Sequence, residues 1–331
     1  MGEYVRNSWG MATEIDFDTS RQDNAGRQAL LSWIPPAASF VRHESRMKKI
    51  LIQLDTDPQP SVFDRVVAID AGVDELFSYG GVNPENLTGL VHGAMFTRSP
   101  QDLKNTAIFI GGSDVAAGEA LLAKVQSLFF GPIRVSVLLD SNGSNTTAAA
   151  AVRAAARHLE LAGTRAVVLG GTGPVGHRAA QILASRGVDV TVTSRTIDRA
   201  RETCDRIREH VPSAQLTPAV PSHGDFSGLL DECQLLIAAG AAKVQFLKES
   251  QWINHPTLKV VIDLNAVPPT GLEGIGVMEK AKERGSMFCY GAIGVGGTKM
   301  KVHRAAVEAL FEQHDRILNT AEVFAIAEKI G

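Results

Sequence analysis

From residue 50 onward, short apolar runs alternate with stretches whose apolar positions recur at helical spacing. Ile50 to Leu54 reads as a strand that ends in Asp55-Thr56-Asp57. Ser61 then caps a helix to about Ala71, with Asp64 three residues on as a loose capping box. Strands follow at Leu76–Tyr79, Thr106–Ile110 and Val135–Leu139, with a short helix near Asn83-Pro84 and a longer one from Asp114 to about Phe129. An alanine-rich helix over about Thr146 to Leu161 leads into a strand at Ala166–Leu169. Beyond it the pattern predicts a strand over Val188–Thr193, a helix over Ile197–His210, a loop or short strand over 212–223, and strands at Cys233–Ala238 and Val260–Leu264. A helix over about Val277–Arg284, a short strand near Met287–Tyr290, a glycine loop over 291–297 and helices from Thr298 to about Gln313 and from Ala321 to Ile330 complete the chain. This βαβα order predicts an α/β protein with parallel sheets and ligands at the strand carboxyl ends. Residues 1–46 hold no such period and read as a flexible extension, or as sequence upstream of a true start at Met47.

The strand at 166–169 runs into Gly171-Thr172-Gly173-Pro174-Val175-Gly176, and a stretch with Ala and Leu at helical spacing follows. Strand, glycine turn and helix in that order form the context of a dinucleotide fingerprint. Pro174 suits the first helical turn, whose positive dipole end favours phosphate. A Rossmann-like dinucleotide-binding domain over 146–331 is therefore expected, beside a smaller amino-terminal α/β domain over 47–145, with a cleft between them and the alanine helix as hinge. About 20 residues past the first glycine an NAD enzyme places a carboxylate for the adenosine ribose. Here stand Ser194-Arg195-Thr196, followed by Arg199, a set suited to a 2′-phosphate. The expected cofactor is NADP, with NAD as the other possibility.

Charge and composition narrow the partners. Over 331 residues, 33 basic and 36 acidic side chains give a net charge of −3, with no basic excess for nucleic acid. Nothing approaches the apolar run of about 18 residues that a membrane helix needs. Three separated cysteines (Cys204, Cys233, Cys289) suit a reducing cytoplasmic setting, and no cluster has metal-ligand spacing, so no metal is expected.

The polar loops carry a further signal. Gln53-Leu-Asp-Thr-Asp57 with Pro60-Ser-Val-Phe-Asp64, Phe129-Phe-Gly-Pro132, Leu139 to Ala150, Asn265-Ala-Val-Pro-Pro269 and Gly291 to Arg304 together resemble the NAD(P)-dependent methylene-tetrahydromethanopterin dehydrogenases of methylotrophic bacteria. The resemblance runs from Met47 to the carboxyl terminus. It implies, in one-carbon (formaldehyde) oxidation, transfer of a hydride from the methylene group bridging two pterin nitrogens to the nicotinamide, leaving a methenyl cation. Such chemistry removes no proton and needs no general base. The resemblance also implies a homo-oligomer, a trimer.

Matched residue by residue, Asp55, Asp57 and Ser61 are candidates to meet the pterin. Asn142, Asn145 and Thr146 fall at the domain junction, where capping of the alanine helix is the competing role. Ala239, Gly240, Ala241 and Asn265 follow late strands of the cofactor domain. Lys299 and Lys301 match a Lys-x-Lys after the last glycine run, Lys299 being the first choice for a catalytic residue. The alternatives are a methylene-tetrahydrofolate or dual-pterin dehydrogenase, a shikimate-type NADP dehydrogenase, and a non-catalytic NADP sensor.

Overall fold

Two parallel sheets share one hydrophobic core in the computed structural model, which describes residues 46–222 and 225–330. The expected extension over 1–45 lies outside the described residues. The first elements are β1 (Ile50–Asp55), α1 (Val62–Asp70), β2 (Glu75–Tyr79), α2 (Thr88–Phe96), β3 (Thr106–Gly111), α3 (Val115–Ser127), β4 (Ser136–Leu139) and α4 (Ser144–Ala155). There follow β5 (Arg165–Leu169), α5 (Pro174–Ser185), β6 (Asp189–Thr193), α6 (Ile197–His210), β7 (Leu216–Ala219), β8 (Leu235–Ala238), β9 (Val260–Asp263), β10 (Lys282–Arg284) and β11 (Met287–Tyr290). The chain ends with α7 (Ala292–Ala309), β12 (Ile317–Leu318) and α8 (Thr320–Lys329).

The first sheet has the order β12-β4-β3-β1-β2, parallel throughout, with Leu54 opposite both Ile110 and Tyr79. The second has the order β10-β11-β9-β8-β5-β6-β7, parallel except for the β10–β11 hairpin. Each has a switch point between parallel strands where the chain changes direction across the sheet: β1 and β3 in the first, β5 and β8 in the second. Crevices open at such switch points outside the strand carboxyl ends, so the topology alone marks two places for ligands.

α4 joins the sheets as a buried wedge. Ala148 to Ala151, Val152, Ala154 and Ala155 are all buried in a cluster holding Leu51, Phe109 and Leu138 of the first sheet with Val168 and Ile262 of the second. Its small side chains let α5, α7 and α8 all pack against it. The helix expected as a hinge is thus surrounded, and Glu119 of α3 adds ion pairs to Arg178 of α5 and Arg206 of α6. The end of the chain returns to the first sheet through β12, beside the Ser136 hydroxyl that donates to the Gln313 carbonyl at 2.9 Å.

Four boundaries differ from the sequence expectation. The helix expected over 277–284 is absent: Ala281 (φ 52°) and Gly285 (φ 61°) turn the chain into the β10–β11 hairpin, and Glu279 binds Arg284 and the Gly276 N–H. The run 291–297 is largely helix, since α7 starts at Ala292. Of its glycines Gly294 answers to close approach, because a Cβ there would run into the Glu279 carbonyl, whereas Gly296 and Gly297 have open space around them. The helix expected near Asn83-Pro84 starts at Thr88, the earlier residues forming a turn through Asn83 and Asn86. The alanine helix stops at Ala155 rather than Leu161.

Candidate active site

At the β5–β8 switch point the backbone does the work. Gly170 takes φ 71°, and a Cβ there would lie 2.8 Å from the Gly240 Cα on the neighbouring strand end. Its N–H donates to Thr193 Oγ1 at 3.1 Å, and the Gly171 N–H donates to the Thr193 carbonyl at 3.0 Å. A Cβ on Gly176 would meet the Gly170 carbonyl oxygen. The turn is therefore sealed by Gly170, Gly171 and Gly176 and opens onto the first turn of α5, with Pro174 at its start.

A cleft of about 590 Å³ lies on this turn. Thr172, Gly173, Pro174 and Val175 line one side, Ser194, Arg195 and Arg199 another, and Ala239, Gly240 and Ala241 a third. Among the described residues that line it there is no carboxylate. Ser194 Oγ lies 3.4 Å from Thr172 Oγ1, linking fingerprint to strand end. Thr196 stands at the start of α6, outside the lining. Asn265 is also set back: its amide donates to the Ala241 carbonyl at 3.2 Å and its oxygen accepts from the Val267 N–H at 3.1 Å, so it braces the 239–241 loop.

At the β1–β3 switch point the wall is made of side chains. Asp55 is buried and accepts from the Asp57 and Ser61 N–H groups at 2.9 and 3.1 Å, which shapes the loop between them. Asp57 reaches across to the loop after β3, accepting from Ser113 N–H at 3.0 Å and Ser113 Oγ at 2.8 Å. Ser61 Oγ caps α1 by accepting from the Asp64 N–H at 3.3 Å. Asp57, Ser61 and Ser113, with Phe63, Asp64, Gly143 and Lys299, line a pocket of about 340 Å³, and Asp55 lies buried behind them. Lys299 comes from α7, its Nζ 4.3 Å from the Phe63 ring centroid and close above Gly143. Lys301 is exposed and outside the pocket, because two residues along a helix turn a side chain to the far side.

Of the three junction residues, one reaches ligand space. Asn142, with φ 57°, lines both cavities and donates to the Ser113 carbonyl at 3.2 Å. Asn145 is wholly buried, donating to the Leu139 carbonyl at 2.7 Å and accepting from Thr320 Oγ1 at 2.8 Å. Thr146 gives its N–H and Oγ1 to the buried carboxylate of Asp140, at 3.0 and 2.6 Å.

Local sequence assigns Asp64 only a capping part, and Asp140 no part beyond a polar loop. Burial pushes Asp140 up to about 7, against the Thr146 bonds and the charge of Lys299. Burial likewise pushes Asp64 up to about 6, against the Ser61 hydroxyl and Lys299. Residues 64, 140 and 299 meet only through tertiary folding, and the run Pro60 to Asp64 was the one signal pointing to the first of them. Among the described residues no helix is long and apolar enough to cross a membrane, and no group of three His, Cys, Asp or Glu is placed to hold a metal.

Two family models match parts of the chain. Residues 62–142 match the family model described as methylene-tetrahydromethanopterin dehydrogenase, N-terminal, and residues 153–281 match that of shikimate / quinate 5-dehydrogenase. The bifunctional protein MdtA of Methylorubrum extorquens is 40% identical over 286 residues, covering 86% of this chain and 99% of that protein. The NAD(P)-dependent methylenetetrahydromethanopterin dehydrogenase of the same organism is 28% identical over 299 residues, again covering 86% and 99%. Among solved structures, the shikimate dehydrogenase of Mycobacterium tuberculosis aligns over 84% of this chain and 98% of its own, at 17% identity and a TM-score of 0.47. By its near full-length identity to these relatives and its amino-terminal family match, the chain belongs to the methylene-tetrahydromethanopterin dehydrogenase family.

Proposed function

We propose that the chain oxidises the methylene bridge of methylene-tetrahydromethanopterin to the methenyl cation, with NADP as hydride acceptor. The observation that carries this reading is the pair of cavities at two switch points with Asn142 in the wall of both. A dinucleotide in one and a flat reduced pterin in the other would bring their reacting rings together at that residue.

The residues present fit the cofactor. Gly173 brings the α5 amino terminus to the cleft without a side chain of its own, and that terminus favours a pyrophosphate. Ser194, Arg195 and Arg199, with no carboxylate beside them, suit a ribose 2′-phosphate and support NADP over NAD. When bound, the nicotinamide supplies the hydride acceptor. The chain supplies position: Lys299 orients the pterin from α7, Asp57 and Ser113 hold the loop beneath it, and Asn142 sets the distance between the two rings. No residue is required to take a proton.

The first sheet with its β12 addition serves as the pterin domain and the second sheet as the cofactor domain. The functional unit is a homo-oligomer, a trimer on the family resemblance, working in the cytoplasm. An absorbance assay of NADPH formation tests the activity, with methylene-tetrahydromethanopterin and methylene-tetrahydrofolate as paired substrates. Preference for the first is expected, and silence with both overturns the reading. Shikimate serves as the control, since residues 153–281 match that family's model.

A further inference from the structure

The pterin pocket carries more acid than base, and one of its carboxylates has no part in the mechanism so far. Asp55, Asp57 and Asp140 each have both carboxylate oxygens engaged by the chain's own N–H or O–H donors. Asp64 differs. It lines the pocket from the first turn of α1, with its side chain 15% exposed and the Ser61 hydroxyl beside it.

Behind it lies His303 of α7, fully buried, its ring stacked on Phe109 at 5.7 Å between centroids and 20° between planes. Neither ring nitrogen of His303 has a hydrogen-bond partner among the described residues. Its Nε2 stands 3.9 Å from Asp64 Oδ1. A buried imidazole with two idle nitrogens is an expensive arrangement, and it is retained here against a pocket-lining carboxylate. Burial and the charge of Lys299 push His303 down to about 3, so the ring is neutral and has one N–H to give.

We propose that Asp64 is the counter-charge for the cation that develops in the reacting ring, and that His303 is the positioning residue holding it from behind. The proposal rests on the pterin reading of the same pocket. In the reaction a methylene C–H bond breaks and its electron pair leaves as hydride to the nicotinamide. The two flanking nitrogens donate into the vacated orbital, so the ring gains one positive charge and no proton moves. A fixed carboxylate in a partly buried wall stabilises that charge as it forms and gives little to the neutral substrate. The groups facing Asp64 are Lys299 and His303 from α7, Asp55 at the end of β1 and Asp140 at the end of β4. With one ammonium among three carboxylates, the surroundings favour an incoming cation.

The test is Asp64→Asn, which keeps the backbone N–H that Ser61 caps. Equilibrium binding is measured for the methenyl cation and for the uncharged tetrahydro carrier, together with steady-state rates across pH. Expected are a fall in kcat of about 100-fold and a loss of cation affinity at least about tenfold greater than the loss for the neutral carrier. The unsubstituted enzyme should lose kcat as pH falls through about 6, where Asp64 takes up a proton, and the variant should lack that limb. His303→Leu should move the limb to higher pH, because the ring's N–H dipole 3.9 Å behind the carboxylate is removed; an unmoved limb removes His303 from the proposal. A rise in KM at unchanged kcat, or equal losses for both ligands, overturns the role of Asp64. Should the Asn variant fail to melt cooperatively, Asp64→Ser carries the same comparison. Absence of turnover by the unsubstituted enzyme overturns the pterin reading and this proposal with it, whereas turnover with an unaltered variant overturns this proposal alone.

Discussion

The two switch points solve the same problem with different materials. At β5–β8 the site is largely a backbone surface: a glycine turn, a helix amino terminus and a strand end, with Ser194, Arg195 and Arg199 on one side and Asn142 shared with the other cavity. At β1–β3 it is a side-chain surface, where the carboxylates of Asp57 and Asp64 and the Lys299 ammonium arrive from three separate elements, with Asp140 buried within electrostatic reach. A backbone site requires a conformation and breaks when a Cβ is added. A side-chain site requires charges in place, and it responds to pH and to single truncations without loss of fold.

Gly170→Ala should therefore have the largest effect of any single change. A left-handed backbone costs an L-residue about 1–2 kcal/mol, and the new Cβ would also press on the Gly240 backbone at 2.8 Å. We expect a loss of about 100-fold or more in NADPH affinity, read by fluorescence titration, with a lowered Tm. Wild-type affinity in this variant would show that the turn is not the cofactor's seat.

Lys299→Ala makes the opposite incision. It removes the ammonium over Phe63 and Gly143 and leaves the fingerprint untouched. The expected result is a fall of about 100-fold in kcat/KM for the pterin at unchanged NADPH affinity. Lys301→Ala, from the exposed side of the same helix, should leave both constants alone. If the two lysines behave alike, the assignment of the pocket fails.

The same contrast explains what could be read from the chain. The fingerprint was legible because a backbone site is contiguous: Gly170 to Gly176 sit side by side in sequence, and their spacing encodes the turn. Even there the left-handed position proved to be Gly170, one residue ahead of the expected first glycine. Lys299 was found through its Lys-x-Lys motif, but Asp64 and Asp140 acquire their character from burial, and burial belongs to packing rather than to local pattern. Asn145 and Asn265 mark the reverse failure. Both are polar residues at strand ends, as ligand contacts are, yet both spend their amides on the chain itself. The glycine run of α7 misled for a related reason, since it reads as a loop when Gly294 serves close approach to the chain around Glu279.

Arg195→Ala sharpens the comparison within the backbone site, where one charged side chain should decide between two cofactors. A charge-assisted bond to a phosphate contributes about 1.5–3 kcal/mol, so kcat/KM for NADP should fall about 10- to 100-fold while that for NAD stays within about twofold. Equal losses with both cofactors would place Arg195 at the pyrophosphate or outside the site.

The smallest expected effect lies beneath the side-chain site, in stability rather than rate. Asp140 titrates near 7 in the folded chain because burial disfavours its charge, against about 3.9 when unfolded. A carboxyl whose folded pKa is raised contributes stability that is full below the unfolded value and is lost as pH rises through the folded one. The native protein should thus lose stability between about pH 4 and 7 on account of this group. Asp140→Asn retains an oxygen to accept from the Thr146 N–H and carries no charge to desolvate. Its Tm relative to wild type should rise across that window and level off above it. A difference that does not vary with pH would mean that the carboxyl stays ionised throughout, held by Lys299 and Thr146 more firmly than its burial opposes.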